Sequence, residues 1–395
     1  MSNPTQARRA VAVLFFTNGA LFANLLPRYP EIKDSLHFSN AAFGSAVAAY
    51  PLGALVAGLS AGVLIQRFRS SRVAITATAL AALGFIGAGV ASVWIALAAA
   101  LFVAGSMDAI TDVAQNSHGL RVQKLYGRSI LNSFHAVWSM GAVLGGAMGA
   151  GLAALGVSIT GHMIISAVLL SALALASYRW LLPGPEPGPE PTFEPTGRAE
   201  GRVLYGPAKV GILLALVVIA ASGGVVEDAG ASWAAIYLSD SLNAGTFVAG
   251  MGFIALQGTQ FVGRILGDPM VDRFGQRAVA RAGGLVVTLG MGAALLFPTV
   301  FGTIVGFGLA GLGIATLIPA AMHGADEIPG LAPGVGLTIV SWLLRVGFLV
   351  APPIVGAVAD ATSLRAGLVV VPVVGLLVIA FSGVLSGDRR PVPAD

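Results

Sequence analysis

The feature that most constrains this chain is the recurrence of apolar runs about as long as a bilayer is thick. Twelve can be laid out, at 11–26, 41–65, 73–91, 94–115, 130–155, 159–182, 210–238, 247–266, 278–297, 300–322, 335–358 and 366–385. Each approaches the roughly 20 residues that an α-helix needs to cross the hydrocarbon core. In lipid the backbone has to satisfy its own hydrogen bonds, so such runs read as transmembrane helices. Composition agrees, because 56% of the residues are hydrophobic and only 10% charged, whereas about a quarter of a soluble domain is charged. The 53 glycines have no collagen-like period and suit helices that approach closely through small residues.

Several function classes are excluded on the same ground. Cysteine is absent, so neither a disulfide framework nor a thiolate metal site is expected. The five histidines are dispersed and none forms a His-x-x-x-His pair, so no metal or other cofactor is expected. No Gly-x-x-x-x-Gly-Lys-Ser/Thr loop is present, which removes ATP as the driver. Arg8 and Arg9 precede the first run as they would in a signal peptide, but Leu26-Pro-Arg-Tyr-Pro30 offers no small-residue cleavage site, so this segment reads as the first membrane helix.

The basic residues set orientation rather than announce a nucleic-acid partner. With both ends on the cytoplasmic side, the inside segments hold Arg8, Arg9, Arg67, Arg69, Arg72, Arg121, Lys124, Arg128, Arg179, Arg198, Arg202, Lys209, Arg264, Arg273, Arg277, Arg281, Arg389 and Arg390. The outside keeps Arg28, Lys33 and Arg365, the asymmetry of the positive-inside rule. Repeated Pro and Glu from Pro183 onward predict an extended, solvated linker at 183–206. It separates a first half, 1–182, from a second, 207–395. An internal repeat supports the division: Gln66-Arg67-Phe68 follows the second run as Asp272-Arg273-Phe274 follows the eighth, and Trp138-Ser139 in the fifth and Ser341-Trp342 in the eleventh occupy equivalent places.

Charges inside the apolar runs are the candidate functional residues, since an ionised Asp at mid-bilayer costs roughly 2.5–3.5 kcal/mol on insertion scales and normally faces a cavity or a partner. In the fourth run Asp108, Asp112 and Asn116 are spaced by four, a polar stripe on one helix face. His135 in the fifth run lies at a depth similar to that of Asp112, and histidine titrates near neutrality. Glu227 and Asp228 interrupt the seventh run ahead of Trp233; adjacent residues point about 100° apart, so one acid at most is expected to look squarely into a cavity. Arg345, near the middle of the eleventh run, requires a counter-charge, either one of those two acids or an anionic solute.

At these residues the chain resembles the major facilitator superfamily, whose motif is roughly Gly-x-x-x-Asp-Arg-x-Gly-x-Arg. The second copy keeps Asp272, Arg273, Gly275 and Arg277, with Asp268 beside it; the first keeps Gly62 and Arg67 but has Gln66 and Arg69 where Asp and Gly are expected. The resemblance implies an all-α membrane protein of 12 transmembrane helices in two pseudo-symmetric six-helix bundles, with the motif pairs latching the halves in the outward-facing state. A narrower set is similar to the fucose-permease-like branch and its bacterial inner-membrane relatives: Phe15-Phe-Thr-Asn-Gly19, Asp112-Val-Ala-Gln-Asn116, Gly127-Arg-Ser-Ile-Leu-Asn-Ser-Phe-His135 leading to Trp138, and Ser232-Trp-Ala-Ala-Ile-Tyr-Leu238. That branch implies a proton-coupling acid at Asp112, but its acid in helix one is replaced here by Asn18 and Asn24. In this fold Asn18, Asn24, Asn132, Gln257 and Gln260 fall on cavity-lining helices. The fourth run lacks the buried Arg, and the fifth the Pro, of drug/proton antiporters.

The expectation is therefore a monomeric, multi-pass protein of a bacterial inner membrane, not an enzyme. It would move a small polar metabolite, a sugar or related polyol among the candidates, by proton coupling through Asp112, Asp108 and His135. Asn18, Asn24, Asn116, Trp138, Glu227, Asp228, Trp233, Gln257, Gln260 and Arg345 would contact the solute. A proton-driven exporter of drugs or natural products is the alternative, a sensor that kept the fold is a third reading, and sodium is the alternative ion.

Overall fold

In the computed structural model residues 3–127, 130–184, 206–328, 331 and 335–386 are described. The expected linker therefore lies, but for its margins, outside the described residues, as does the side chain of Asn132. The helices run as α1 Pro4–Ser35, α2 Asn40–Gly58, α3 Ser70–Val90, α4 Trp94–Tyr126, α5 Ser133–Ala154, α6 Ile159–Trp180 and α7 Lys209–Ser241. Next comes α8, Thr246–Phe274, followed by α9 Gln276–Leu296, α10 Val300–Asp326, α11 Val335–Ala361 and α12 Leu364–Val384. Among the described residues eleven of these are long and apolar enough to cross a membrane. The exception to the expected twelve is α8. Its 29 residues are ample, but Gln257 and Gln260 sit mid-helix and Arg264 and Asp268 follow, so its hydropathy is the lower.

Local chemistry fixes the helix ends. The side chains of Asn3, Ser39, Ser158 and Thr299 each accept a backbone N–H in the first turn of the helix that follows, which satisfies donors that a helix start otherwise leaves bare. Gly127, at φ 74°, closes α4 in the left-handed conformation that glycine adopts without steric cost. Large apolar side chains such as Leu83, Val168, Leu289 and Leu376 remain more than half exposed, as a lipid-facing belt requires.

Packing follows the small residues. In α5, Gly141, Gly145 and Gly149 recur every fourth residue, and a Cβ on any of them would run into the carbonyl oxygen of Phe16, Ala20 or Asn24 on α1. The two helices consequently lie backbone to backbone. Within the first half α3 and α2 pack on α4; within the second α9 and α8 pack on α10, and α7 on α11. The halves meet chiefly where α5 lies on α8 and α2 on α11.

One end of the molecule is sealed and the other is not. At the sealed end Lys33 Nζ lies 2.9 Å from Asp240 Oδ2. The Asp360 carboxylate at the end of α11 accepts from the backbone N–H groups of Asn40 and Ala41, at 2.9 and 2.8 Å, and from Asn40 Nδ2. At the opposite end, where the basic loops lie, the expected latch is open. Arg67, Asp268, Asp272 and Arg273 are exposed, and among the described residues none of them makes an ion pair. Arg277 instead ties its own half together, donating to the carbonyls of Leu385 and Gly383 at the end of α12, while Gly62 has open space around it. The repeat is visible in detail, because Arg67 over Phe68 and Arg273 over Phe274 both stand 5.3 Å from the ring centre. The other proposed match is not: Trp138 is half-buried, whereas Trp342 is 52% exposed.

Candidate functional site

Two adjoining cavities, of about 230 and 270 Å³, lie between the halves, and Asp108, Trp138, Glu227 and Arg345 line both. The one nearer the sealed end adds Tyr29, Tyr50, Asp228, Gln257 and Phe253. The one nearer the basic loops adds Asn18, Asp112, His135 and Arg264. The spacing of four in α4 thus delivers both acids to the same face, and His135, which the sequence puts at a depth similar to that of Asp112, lines the same cavity.

On the first half the polar side chains are wired to one another. Trp138 Nε1 donates to Asn18 Oδ1 at 2.8 Å, and Asn18 Nδ2 donates to Asp108 Oδ1 at 2.5 Å. The close α1–α5 contact makes this possible, since Gly19 and Gly141 let Asn18 and Trp138 approach. One turn on, Asn116 Nδ2 donates to Asp112 Oδ1 at 2.9 Å, with Gln115 at 3.4 Å. Asn116 therefore holds the acid and does not itself line the cavities.

On the second half the wiring is incomplete. Asp228 is 9% exposed; its Oδ1 accepts from Ser232 at 3.1 Å, but its Oδ2 has no partner. Glu227 Oε2 accepts from Gln260 Nε2 at 3.3 Å, and Gln257 Oε1 is buried without a donor. Both adjacent acids of α7 reach the cavity nearer the sealed end, where the 100° offset had predicted one at most; that cavity is broad enough to touch both directions. The internal ion pair expected for Arg345 is absent. Its side chain opens onto both cavities together with Glu227, yet among the described residues it makes neither an ion pair nor a hydrogen bond.

Two expected solute contacts lie elsewhere. Asn24 is 1% exposed and belongs to a separate network, in which its Oδ1 accepts from His162 Nε2 and Ser166 Oγ while Arg28 Nε donates to His162 Nδ1. Trp233 is fully buried, edge-on to Phe43, and its position five residues beyond Asp228 turns it away from the cavities and into the packing between halves. Three polar cavity residues escaped the sequence reading. Tyr50 gave no signal, because an aromatic in an apolar run looks like core, and Tyr29 lies beyond the end of the first run. Arg264 was read as a loop cation, though it follows Gln257 and Gln260 by seven and four residues and so shares their face. It reaches across the halves to Ser139 Oγ at 3.3 Å.

Comparison with known proteins places this geometry. The family model described as Major Facilitator Superfamily matches residues 11–265. The chain is 29% identical over 384 residues to the membrane protein MosC of Rhizobium meliloti, covering 97% of this chain and 91% of that one. It is also 29% identical over 377 residues to y4wD, an uncharacterized transporter of Sinorhizobium fredii, covering 95% and 97%. Among solved structures, a D-xylose-proton symporter superposes with a TM-score of 0.77 at 16% identity, over 96% of this chain and 97% of that one. The nucleoside transporter NupG superposes with a TM-score of 0.68 at 13% identity, over 96% and 98%.

Proposed function

Because the chain belongs to the Major Facilitator Superfamily, and is thus a multi-pass membrane transporter and not an enzyme, we propose that it moves a small polar metabolite, coupled to protons, by alternating access through the cavities between its halves. The observation that supports this most is the placing of Asp108 and Asp112 on the wall of a compartment open toward one end and sealed at the other. An acid there can exchange its proton with water on one side of the membrane at a time.

The two halves, 1–182 and 207–395 with the linker 183–206 between them, would rock about this site as a monomer. The open end carries the basic loops, so under the positive-inside rule it is cytoplasmic, both termini lie there, and the membrane is a bacterial inner membrane. Asp112 is the favoured proton carrier, with Asp108 next and His135 assisting. Asn116 positions Asp112. Asn18, Trp138, Glu227, Asp228, Gln257 and Arg345 supply the solute contacts, with Gln260, which lines neither cavity, holding Glu227, and the sugar-like solute expected from the sequence is one member of the class they suit.

The test is proton movement into liposomes that carry the purified protein and an internal pH dye, with sugars, amino acids, organic acids and cationic drugs added in turn. Acidification driven by one ligand class, and absent in Asp112→Asn, is the expected result. Full acidification by the variant sinks the assignment of Asp112. Flux of a ligand that survives a clamped pH, or that vanishes when choline replaces sodium, sinks proton coupling. Proton movement driven by cationic drugs alone would transfer the site to the exporter reading.

A further inference from the structure

We infer that the solute is a zwitterion, carrying both an amino group and an acidic group, and that the second half of the chain holds both of its ends. The inference rests on the transport reading above and narrows its substrate class.

It follows from where the cavity wall is satisfied and where it is not. The first half's acids already have amide partners: Asp108 is held by Asn18, and Asp112 by Asn116. The second half's charges face the same space uncompensated. Among the described residues Asp228 Oδ2 is buried without a donor, Glu227 has a single long contact from Gln260, and Arg345 makes no ion pair or hydrogen bond, the Asp108 carboxylate attracting it only across the cavity. A buried acceptor without a donor, as at Asp228, is costly; Glu227 is half-buried and Arg345 exposed in this open arrangement, and burying either charge unpaired would cost more. While the compartment stands open, water can serve these groups. When it closes around a solute, the solute has to.

Opposite charges that line one cavity without touching define two poles. An ammonium offers three donors and matches the free oxygen of Asp228 with Glu227 beside it. A carboxylate or phosphate matches the guanidinium fork of Arg345. A neutral polyol could hydrogen-bond at both poles but would leave both charges uncompensated on closure, an amine alone would leave Arg345 without a counter-charge, and an acid alone would leave Asp228 and Glu227 without one. Only a solute of both signs satisfies the set. The remaining charged groups in the compartment, Asp112, His135 and Arg264, lie toward the open end, and Asp108 is engaged by Asn18. The volume near Asp228, about 230 Å³, suits a molecule of amino-acid size.

The measurement is thermal stabilisation of the detergent-purified protein by α- and ω-amino acids of increasing length, each set against the matched amine, the matched acid and a polyol. One or more zwitterions should stabilise it above either single-charge analogue. Asp228→Asn should weaken that zwitterion by about tenfold or more while leaving the matched acid unchanged, and Arg345→Gln should do the reverse for the matched amine. Arg345→Lys, which keeps the charge, should retain part of the binding and guards against a misfolded variant. Stabilisation by the polyol alone, by no amino acid, or by zwitterions with affinity unaltered in Asp228→Asn and Arg345→Gln would overturn the inference. The transport reading fails separately: a zwitterion that binds but drives no acidification of liposomes would sink proton coupling and leave this assignment standing.

Discussion

Arg69 shows what a single backbone position demands. It follows Phe68 as Gly275 follows Phe274, and the two residues take nearly the same conformation, φ 75° and ψ 142° against φ 81° and ψ 154°. That region is essentially glycine's, and a residue with a Cβ held there costs about 1–3 kcal/mol. The first copy of the motif has therefore kept the turn and lost the residue that makes it without strain. Arg69→Gly should raise stability by about 1 kcal/mol, seen as a higher melting temperature of the purified protein. An unchanged or lower melting point would mean that the arginine side chain offsets the strain. Close approach is the second residue-level constraint. A methyl at Gly105 would meet the backbone of Tyr50, the residue that stands beside Asp108 on the cavity wall. Gly105→Ala should cost about 1–3 kcal/mol, whereas Gly151→Ala, with nothing near it, should melt as the parent does.

At the scale of elements, the start of α2 and the end of α11 form a joint that belongs to neither half alone. The Asp360 carboxylate occupies the N-terminus of α2, where bare N–H groups and the helix dipole favour a negative charge. Beyond it the contact is backbone to backbone, with Gly44 against the Pro352 carbonyl and Gly356 against that of Asn40. An alternating-access cycle has to break this joint to open the sealed end. The chain has no cysteine, so an Asn40→Cys, Asp360→Cys pair can be oxidised without competing thiols. The disulfide should arrest uptake into liposomes and reduction should restore it. Uptake that continues at full rate with the bridge intact would show that this joint stays closed throughout the cycle.

For the whole molecule, the sealed joint at one end and, at the other, Arg67, Asp268, Asp272 and Arg273, which make no ion pair among the described residues, describe one arrangement. Under the proposed alternating-access cycle, the motif charges expected to latch the halves stand apart at this end because it is the open one. Sequence motifs of this kind name residues that meet in one state of a moving protein. They do not say which state is present.

The sequence by itself determined the helical spans, the basic loops, the repeat of Arg-Phe after the second and eighth apolar runs, and the polar residues buried along those runs. These are local matters: lipid tolerates only a backbone bonded within its own segment, and hydropathy reports that segment by segment. Even the departure of α8 from the apolar pattern was readable in Gln257 and Gln260. Partner choice was decided by the tertiary structure alone. Asn18 and Asn24 lie six apart on one helix, yet glycine contacts bring the first to Trp138 and Asp108 while the second meets His162. Trp233 and Asp228 share a helix, and only the acid lines the cavity. Arg345 needed a counter-charge by any sequence argument, and the fold left it facing open space. Such outcomes depend on how each helix is rotated and how closely its neighbours approach, which is set by contacts between residues far apart in the chain.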